Sequence, residues 1–309
     1  MFEIRIYEQF VVAFLTFTIT FLGTFANIFL LLAVRKSNSM SGSFGIITKN
    51  QAVCNIIMCL IFLLFVFPLQ LRPQELLIEN SHFVGTVAMT VYEVSNGSHF
   101  LIALNRLCAI YWPHKYEKIF RNSLTTTYRN LLWLISILFC IYFYELVDCN
   151  IPYNPLTWTF EFKDTPLCAQ VSWYSDFIFN TGVTVVTLII NLITAWKGRK
   201  QSRILVNAVG LKISKIQRKR EWNFVKQTCF QGLSIFLGQF TYYIIAPLIN
   251  EKSPIFLFFI VSLWAFMHAA EGGIILASNK ELRTVFKKKS NEVFVIVRRR
   301  STKNLENNF

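Results

Sequence analysis

Seven apolar runs, each of at least 20 residues, constrain this 309-residue chain more than any motif in it. An α-helix rises about 1.5 Å per residue, so about 20 apolar residues cross the roughly 30 Å hydrocarbon core of a bilayer. Lipid offers no partner for backbone polar groups, so each run is predicted to be a helix. The predicted spans cover residues 10–34, 46–71, 83–110, 128–147, 173–196, 224–249 and 255–278. The predicted fold class is an all-α membrane protein, a seven-transmembrane helix bundle.

The composition excludes a soluble domain and argues against nucleic acid as a partner. Hydrophobic residues make up 54% of the chain and charged residues only 16%, which is too little charge to cover a soluble protein of this length. The formal net charge is +14, but the basic residues lie in blocks between the apolar runs. Such blocks are typical of cytoplasmic loops rather than of a nucleic-acid groove. The predicted partner is therefore the lipid bilayer, with no nucleic acid.

The distribution of Lys and Arg predicts the side on which each end of the chain lies. With seven spans, 27 of the 31 basic residues fall on one side and 4 on the other. The positive-inside rule makes the basic side cytoplasmic, so the N-terminus is predicted outside and the C-terminus inside. Residues 1–9 are predicted to be an extracellular segment, 10–279 the helical domain, and 280–309 cytoplasmic. The cytoplasmic segment is predicted to begin with a short amphipathic helix and to end as a basic tail.

Polar residues inside the apolar spans are predicted to face other helices, because lipid cannot satisfy them. On the third span such residues occupy one arc of about 100° that leads to Arg106 at the inner end. The predicted buried network, drawn from spans one, two, three and seven, consists of Asn27, Asn55, Ser95, Asn96, His99, His268 and Glu271. Two interpretations stay open. These groups either only hold helices together, at roughly 0.6–2 kcal/mol per hydrogen bond, or form a switch aligned toward Arg106.

The sequence favours neither an enzyme nor a metal or cofactor protein. The four histidines lie in different segments, and no phosphate-binding loop, GxSxG or HExxH motif is present. No cofactor and no metal are predicted. The alternative class is a seven-span ligand-gated channel subunit or transporter. Against a transporter stand the odd number of spans and the lack of a visible internal repeat.

Cys149 and Cys168 are the two cysteines predicted to lie outside the cell, both in the loop after the fourth span. The oxidising environment there permits a disulfide between them. The alternative is a pair of free thiols.

Several motifs together resemble those of rhodopsin-like G-protein-coupled receptors. They are GTFAN at 23–27, NQAVCN at 50–55, Asn105-Arg106-Leu107, Trp133 and EGGII at 271–275. More closely, the chain resembles the nematode serpentine chemoreceptors of class X over nearly its whole length. That resemblance depends on LNRLCAIYWPHKYEKIF at 104–120, the cysteines around Trp158, REWNFVKQ at 220–227 and HAAEGG at 268–273.

The resemblance implies a plasma-membrane receptor, including the membrane of sensory cilia, for an extracellular small molecule or peptide. Its implied inner partner is a heterotrimeric G protein, with Asn105, Arg106 and Leu107 at the coupling site. Asn105 stands where the family's usual acid would be, so Arg106 lacks that neighbouring charge. We hypothesise that Glu221, the acid of the third inner loop, pairs with Arg106 in the inactive state. The alternative is that Glu221 is a solvated charge among basic neighbours.

The ligand is expected in the outer half of the bundle, between spans three, five, six and seven. The candidate lining residues are Tyr92, Glu93, Asp176, Tyr242 and Trp264. Aromatic walls with few charges suit a mostly apolar or weakly polar molecule. The position of the amine-binding aspartate of aminergic receptors is Ala88 in this chain, which argues against an amine ligand.

Overall fold

Seven long helices make up most of the part of the chain that the structure describes. The computed structural model describes residues 2–209, 229–248, 254–279 and 281–285. The long helices in chain order are α1 (Phe2–Lys36), α2 (Ser43–Leu71), α3 (Ser81–Tyr111), α4 (Asn122–Leu146), α5 (Pro166–Ser172 continuing through Phe179–Val209), α6 (Cys229–Leu248) and α7 (Pro254–Ser278). Short helical turns at Asn38–Met40, Glu75–Glu79 and Pro113–Ile119 lie in the connections. The fold is thus a helical bundle, as the apolar runs predict.

Six of these helices are long and apolar enough to cross a membrane. The exception is α3, whose 31 residues include a buried series of polar side chains that lowers its hydropathy. It packs against α2, α4 and α5 and so lies inside the bundle, where those side chains find partners. The low hydropathy of α3 therefore reflects its central position.

Polarity in the bundle is inverted relative to a soluble protein. Asn27 and Asn55 are fully buried, whereas Phe14 and Leu64 are each 68% exposed on the outer surface. An outer surface of exposed aromatic and aliphatic side chains suits hydrocarbon, and polar groups inside can bond to one another. Together with the helix lengths, this arrangement identifies a multi-pass integral membrane protein.

Within the described ranges, four helices contain a π-helical segment, and all four segments lie at the same end of the bundle. The segments are Phe62–Val66, Ile141–Leu146, Trp173–Ile178 and Thr241–Ile245. A π turn holds one more residue than an α turn and is frequent at functional sites. We call this end the hairpin end, after the loop described next, and the opposite end, which carries Arg106, the arginine end.

The loop between α4 and α5 folds into the hairpin end. Strands β1 (Tyr153–Asn154) and β2 (Thr159–Phe160) pair antiparallel, and a disulfide joins Cys149 to Cys168. The Tyr153 backbone N–H donates to Ser81 Oγ at 2.8 Å, which fastens the hairpin to the start of α3. Burial raises the pKa of the Tyr153 hydroxyl. The hairpin therefore packs against the helices at this end of the bundle rather than extending into solvent.

Several helices begin earlier than the apolar runs indicate. Helix α1 begins at Phe2 rather than at residue 10, so the predicted extracellular segment is helical from its second residue. Helix α4 begins at Asn122 rather than at 128, and α5 at Pro166 rather than at 173. A helix can continue through polar residues beyond the apolar run. Boundaries read from the apolar run alone therefore exclude those residues. The predicted start of span six, residues 224–228, lies outside the described residues.

The chain after α7 turns back onto the bundle. Residues 281–285 are helical, and Leu282 is fully buried in a cluster with Leu30, Val34 and Ile275. The basic tail from residue 286 lies outside the described residues. The amphipathic helix that the sequence predicts here stays a prediction.

Candidate functional site

A cavity with an empty volume of about 520 Å³ lies beneath the hairpin, between α3, α5, α6 and α7. The aromatic side chains that line it are Tyr92, Phe160, Phe162, Tyr242 and Trp264. Phe160 and Phe162 come from the hairpin strand β2 and the residues after it, so the hairpin forms part of the cavity wall.

Four of the five predicted ligand residues line this cavity, namely Tyr92, Asp176, Tyr242 and Trp264. Glu93 is not among the lining residues. It is 6% exposed, and its Oε1 accepts a hydrogen bond from Asn180 Nδ2 at 2.7 Å. Neighbouring residues on a helix point about 100° apart, so Tyr92 and Glu93 cannot both face one cavity directly.

Asp176 is the centre of a hydrogen-bonded cluster at the hairpin end. Its Oδ1 accepts from Asn180 Nδ2 at 2.9 Å and from Gln239 Nε2 at 3.1 Å, and its Oδ2 accepts from the Tyr243 hydroxyl at 2.7 Å. Gln239 Nε2 also lies 2.6 Å from the Tyr92 hydroxyl oxygen, which accepts from it. The cluster joins α3, α5 and α6 around a carboxyl group.

A second polar cluster is centred on Glu271, which is 4% exposed. Its Oε2 accepts from Asn55 Nδ2 at 2.8 Å, and its Oε1 accepts from Gln231 Nε2 at 2.8 Å. His99 Nε2 lies 3.0 Å from the same Oε1, and Gln51 Nε2 also donates to it. Glu271 thus connects α7 to α2, α3 and α6.

The cluster continues into α1 through two asparagines. His268 Nδ1 is within 2.8 Å of Asn55 Oδ1, and Asn55 Nδ2 donates to Asn27 Oδ1 at 3.2 Å. Asn27 Nδ2 in turn donates to the backbone oxygen of His268 at 3.1 Å. Gly272 allows this approach, because a Cβ at that position would lie 2.7 Å from Asn27 Oδ1.

The structure connects five of the seven predicted network residues: Asn27, Asn55, His99, His268 and Glu271. Asn96 belongs to the other cluster, since its Nδ2 donates to Asn180 Oδ1 at 2.9 Å. Ser95 is 2% exposed and lines a smaller cavity, with an empty volume of about 340 Å³, that lies between the two clusters.

Tyr92 is the residue that links the cavity to the Glu271 cluster. It lines both cavities. Its ring centroid lies 6.0 Å from that of Trp264 and 6.1 Å from that of His268, and both contacts are nearly perpendicular. Edge-to-face aromatic contacts of this kind contribute roughly 0.5–1.5 kcal/mol each. A continuous series of contacts therefore runs from the cavity wall to Glu271.

At the arginine end, Asn105 forms hydrogen bonds that tie three segments together. It is 2% exposed, and its Nδ2 donates to Ser43 Oγ at 2.8 Å. The Tyr116 hydroxyl lies 2.7 Å from the same Ser43 Oγ and donates to Asn105 Oδ1 at 3.4 Å. The half-buried Arg106 places its guanidinium carbon 5.7 Å from the Phe44 ring centroid, and Leu107 is also half-buried. Glu221 lies outside the described residues.

Sequence reasoning missed the side-chain amides that complete the two clusters: Gln51, Asn180, Gln231 and Gln239. The signal was present, because an amide inside an apolar run needs a partner within the bundle. On α6, the two glutamines are eight residues apart and so lie about 80° apart around the helix, on one face. Among the described residues, no three His, Cys, Asp or Glu side chains are placed to hold a metal ion.

Comparison with known proteins gives one family and two relatives. A family model described as serpentine type 7TM GPCR chemoreceptor Srx matches residues 17–279. Serpentine receptor class X 45 of Caenorhabditis elegans is 25% identical over 295 residues, covering 90% of this chain and 81% of the relative. Serpentine receptor class X-43 of the same organism is 23% identical over 269 residues, covering 84% and 81% respectively.

Proposed function

Because this chain belongs to the serpentine type 7TM GPCR chemoreceptor Srx family, we propose that it binds an extracellular small molecule and activates a heterotrimeric G protein. The chain is a multi-pass membrane protein, and the proposed location is the plasma membrane, including that of sensory cilia. In this proposal the hairpin end faces outward. The disulfide between Cys149 and Cys168 supports that orientation, since such bonds persist on the oxidising side.

The observation that carries the proposal is the position of Tyr92 between the cavity and the Glu271 cluster. A ligand can shift a conformational equilibrium only if it binds one arrangement better than another. A molecule seated against Trp264 and Tyr92 would favour one packing of these rings. Movement of the Tyr92 ring would alter its contact with His268, which is hydrogen-bonded to Asn55 and through it to Glu271.

The cavity supports a small molecule over a folded peptide. It is bounded by four helices and by the hairpin, and most of its lining is aromatic or aliphatic. Such a shape buries most of the surface of a compact ligand. A short peptide would have to bind with a single side chain or terminus in the cavity.

Coupling to the G protein is proposed at the arginine end, through Asn105, Arg106 and Leu107. The Asn105–Ser43–Tyr116 hydrogen bonds fix the end of α3 relative to the start of α2. We keep the Arg106–Glu221 contact as a hypothesis for the inactive state. If Glu221→Gln leaves basal nucleotide exchange unchanged, this contact has no role in holding that state.

The test of the proposed function is nucleotide exchange on purified heterotrimeric G protein, with the full chain in lipid vesicles. A panel of volatile and water-soluble odorants and short peptides is added, and exchange is compared with ion current or solute flux across the same vesicles. We expect exchange without flux. Flux without exchange would support the channel or transporter class instead.

Two variants of Tyr92 test whether this residue couples the cavity to the Glu271 cluster. They are assayed with any compound from the panel that stimulates nucleotide exchange. Tyr92→Phe keeps the ring contacts with Trp264 and His268, so ligand-stimulated exchange should persist. Tyr92→Leu removes both contacts, so we expect stimulated exchange to fall about tenfold or more, the loss expected for about 1.4 kcal/mol of coupling. Equal stimulation in the two variants would argue against this route.

A further inference from the structure

Two buried carboxyl groups beside the cavity lack a basic partner. Asn180 Nδ2 donates to Glu93 Oε1 at 2.7 Å and to Asp176 Oδ1 at 2.9 Å, so both carboxyls lie around one amide nitrogen. Within the described part of the chain, the ion pairs are His82–Glu145, His99–Glu271 and Lys163–Asp148. None of them includes Glu93 or Asp176. The polar cluster at the hairpin end therefore holds two acids and no cation.

Asp176 lines the cavity and can accept one more hydrogen bond. A carboxylate has about four acceptor positions, and three are used by Asn180, Gln239 and Tyr243. Buried charge is costly unless it is paired. A cationic group in the cavity would supply both the counter-charge and the remaining donor.

Two further polar atoms of cavity-lining residues are buried without a partner among the described residues. They are the amide oxygen Oε1 of Gln239, a residue that is 7% exposed, and the indole Nε1 of Trp264. Nearly all buried polar groups in proteins are hydrogen-bonded, so each exception calls for an explanation. A ligand that donates to Gln239 and accepts from Trp264 would satisfy both.

The rings around the cavity suit the same kind of ligand. The faces of Trp and Tyr rings attract cations, and Tyr92, Tyr242 and Trp264 all line the cavity with Asp176. Apart from Gln239, the remaining lining residues are apolar, which suits an apolar ligand body. A purely neutral apolar ligand would leave Asp176 without a counter-charge and Gln239 Oε1 without a donor, whereas an ammonium group can serve both.

We infer that the cavity binds a small molecule with a protonated amine on a ring-bearing apolar body, and that Asp176 pairs with the ammonium group. The inference rests on the proposed function, because it takes the cavity as the ligand site of the receptor. It reverses two sequence-based expectations: a mostly apolar or weakly polar ligand, which followed from aromatic walls with few charges, and the argument against an amine, which followed from Ala88 on α3. Here the carboxyl group comes from the π segment of α5 instead.

Three probes with the same body but different charge test this inference on the purified full chain in detergent. They are 2-phenylethylamine, 2-phenylethanol and phenylacetate, and binding is measured by calorimetric titration without G protein. We expect the amine to bind at least about tenfold more tightly than the alcohol, as for a charge-assisted hydrogen bond, and the acid to bind most weakly. Equal or tighter binding of the alcohol, or no saturable binding of the amine, would overturn the inference.

The variant Asp176→Asn keeps the size of the side chain and removes its charge. We expect it to lose the preference for the amine and to bind 2-phenylethanol within about twofold of the unmodified chain. Glu145→Gln is the matched control, because Glu145 accepts from Thr86 and pairs with His82 away from the cavity. An amine preference that survives Asp176→Asn would also overturn the inference.

A second variant keeps the inference testable if Asp176→Asn does not fold. Glu93→Gln neutralises the neighbouring carboxyl without touching the cavity wall, so it should weaken amine binding several-fold and leave the alcohol unchanged. If Asp176→Asn lacks a cooperative thermal transition, the unmodified chain and Glu93→Gln decide the question. Amine selectivity without nucleotide exchange would contradict only the proposed G-protein output, and exchange driven by neutral ligands alone would contradict only this inference.

Discussion

Gln231 on α6 donates from Nε2 to Oε1 of Glu271 on α7 at a distance of 2.8 Å. This hydrogen bond joins α6 to a cluster that already includes α1, α2, α3 and α7. Because of this hydrogen bond, a movement of α6 has to alter the surroundings of the buried Glu271 carboxyl group. The cluster also lies beneath the proposed ligand cavity, so ligand binding can affect it. Stability and signalling are therefore expected to depend on the same side chains.

Removal of the Glu271 side chain should destabilise the bundle strongly. In Glu271→Ala, Gln51, Asn55 and Gln231 lose their shared acceptor inside the protein. Breaking a buried charged cluster typically lowers the free energy of unfolding by about 3–5 kcal/mol. Thermal unfolding in detergent measures the loss, with Glu79→Ala as the control, because Glu79 is exposed. Equal transition temperatures for the two variants would contradict the structure here.

The adjacent glycines of α7 provide a matched pair. A Cβ at Gly272 would lie 2.7 Å from Asn27 Oδ1, whereas a Cβ at Gly273 would meet nothing within 4 Å. Gly272→Ala should therefore lower the free energy of unfolding by about 1–3 kcal/mol through overpacking. Gly273→Ala should leave it unchanged or raise it by up to about 1 kcal/mol, since Ala favours helix. The opposite order of transition temperatures would rule out the close contact between α1 and α7.

Loss of the disulfide should loosen the hairpin over the cavity. Cys149 and Cys168 are 19 residues apart, and closing such a loop contributes about 3 kcal/mol. The double variant Cys149→Ser and Cys168→Ser should unfold at a lower temperature than the unmodified chain. Reductant should lower the transition of the unmodified chain and have no effect on the double variant. If reductant lowers both equally, the effect comes from another cysteine.

Asn105 offers a test of the arginine end. Asn105→Leu leaves Ser43 and Tyr116 without their partner and should lower the free energy of unfolding by about 1–3 kcal/mol. Asn105→Asp keeps the acceptor for the Tyr116 hydroxyl, can accept from the Ser43 hydroxyl in place of the lost Nδ2 donor, and places a negative charge next to Arg106. We expect this variant to keep the fold and to lower basal nucleotide exchange. Raised or equal basal exchange would count against the hypothesis that a negative charge near Arg106 holds the inactive state.

The helical bundle itself could be predicted because lipid imposes a length and a composition on every span. The same constraint placed five polar residues inside the bundle. Asn27, Asn55, His268 and Glu271 are buried, and His99 is partly buried. A polar group in an apolar run must find a partner on another helix, so its presence in the sequence is already structural information. Which partner it finds depends on the packing of helices far apart in sequence. Asn96 illustrates this, since it bonds to Asn180 rather than to the Glu271 cluster.

The rotation of each helix was harder to predict. Glu93 and Tyr92 are adjacent and both buried, because α3 packs against several helices and exposes large apolar side chains only near its start, at Phe83 and Val87. The π segments add a further uncertainty. One additional residue in a turn changes the direction of the following side chains by about 100°, and no apolar periodicity indicates where this occurs. The facing positions of Asp176 and Tyr243 depend on two such segments.

The grouping of all four π segments at the hairpin end divides the molecule into two halves with different tolerance to insertion and deletion. Deletion of one residue from Trp173–Ile178 would restore an α turn and turn Asp176 relative to the rest of α5 by about 100°. The helix below that point would keep its register. In related chains, a one-residue insertion or deletion in a π segment would therefore change which side chains face the cavity. The Glu271 cluster and Arg106 would stay in place.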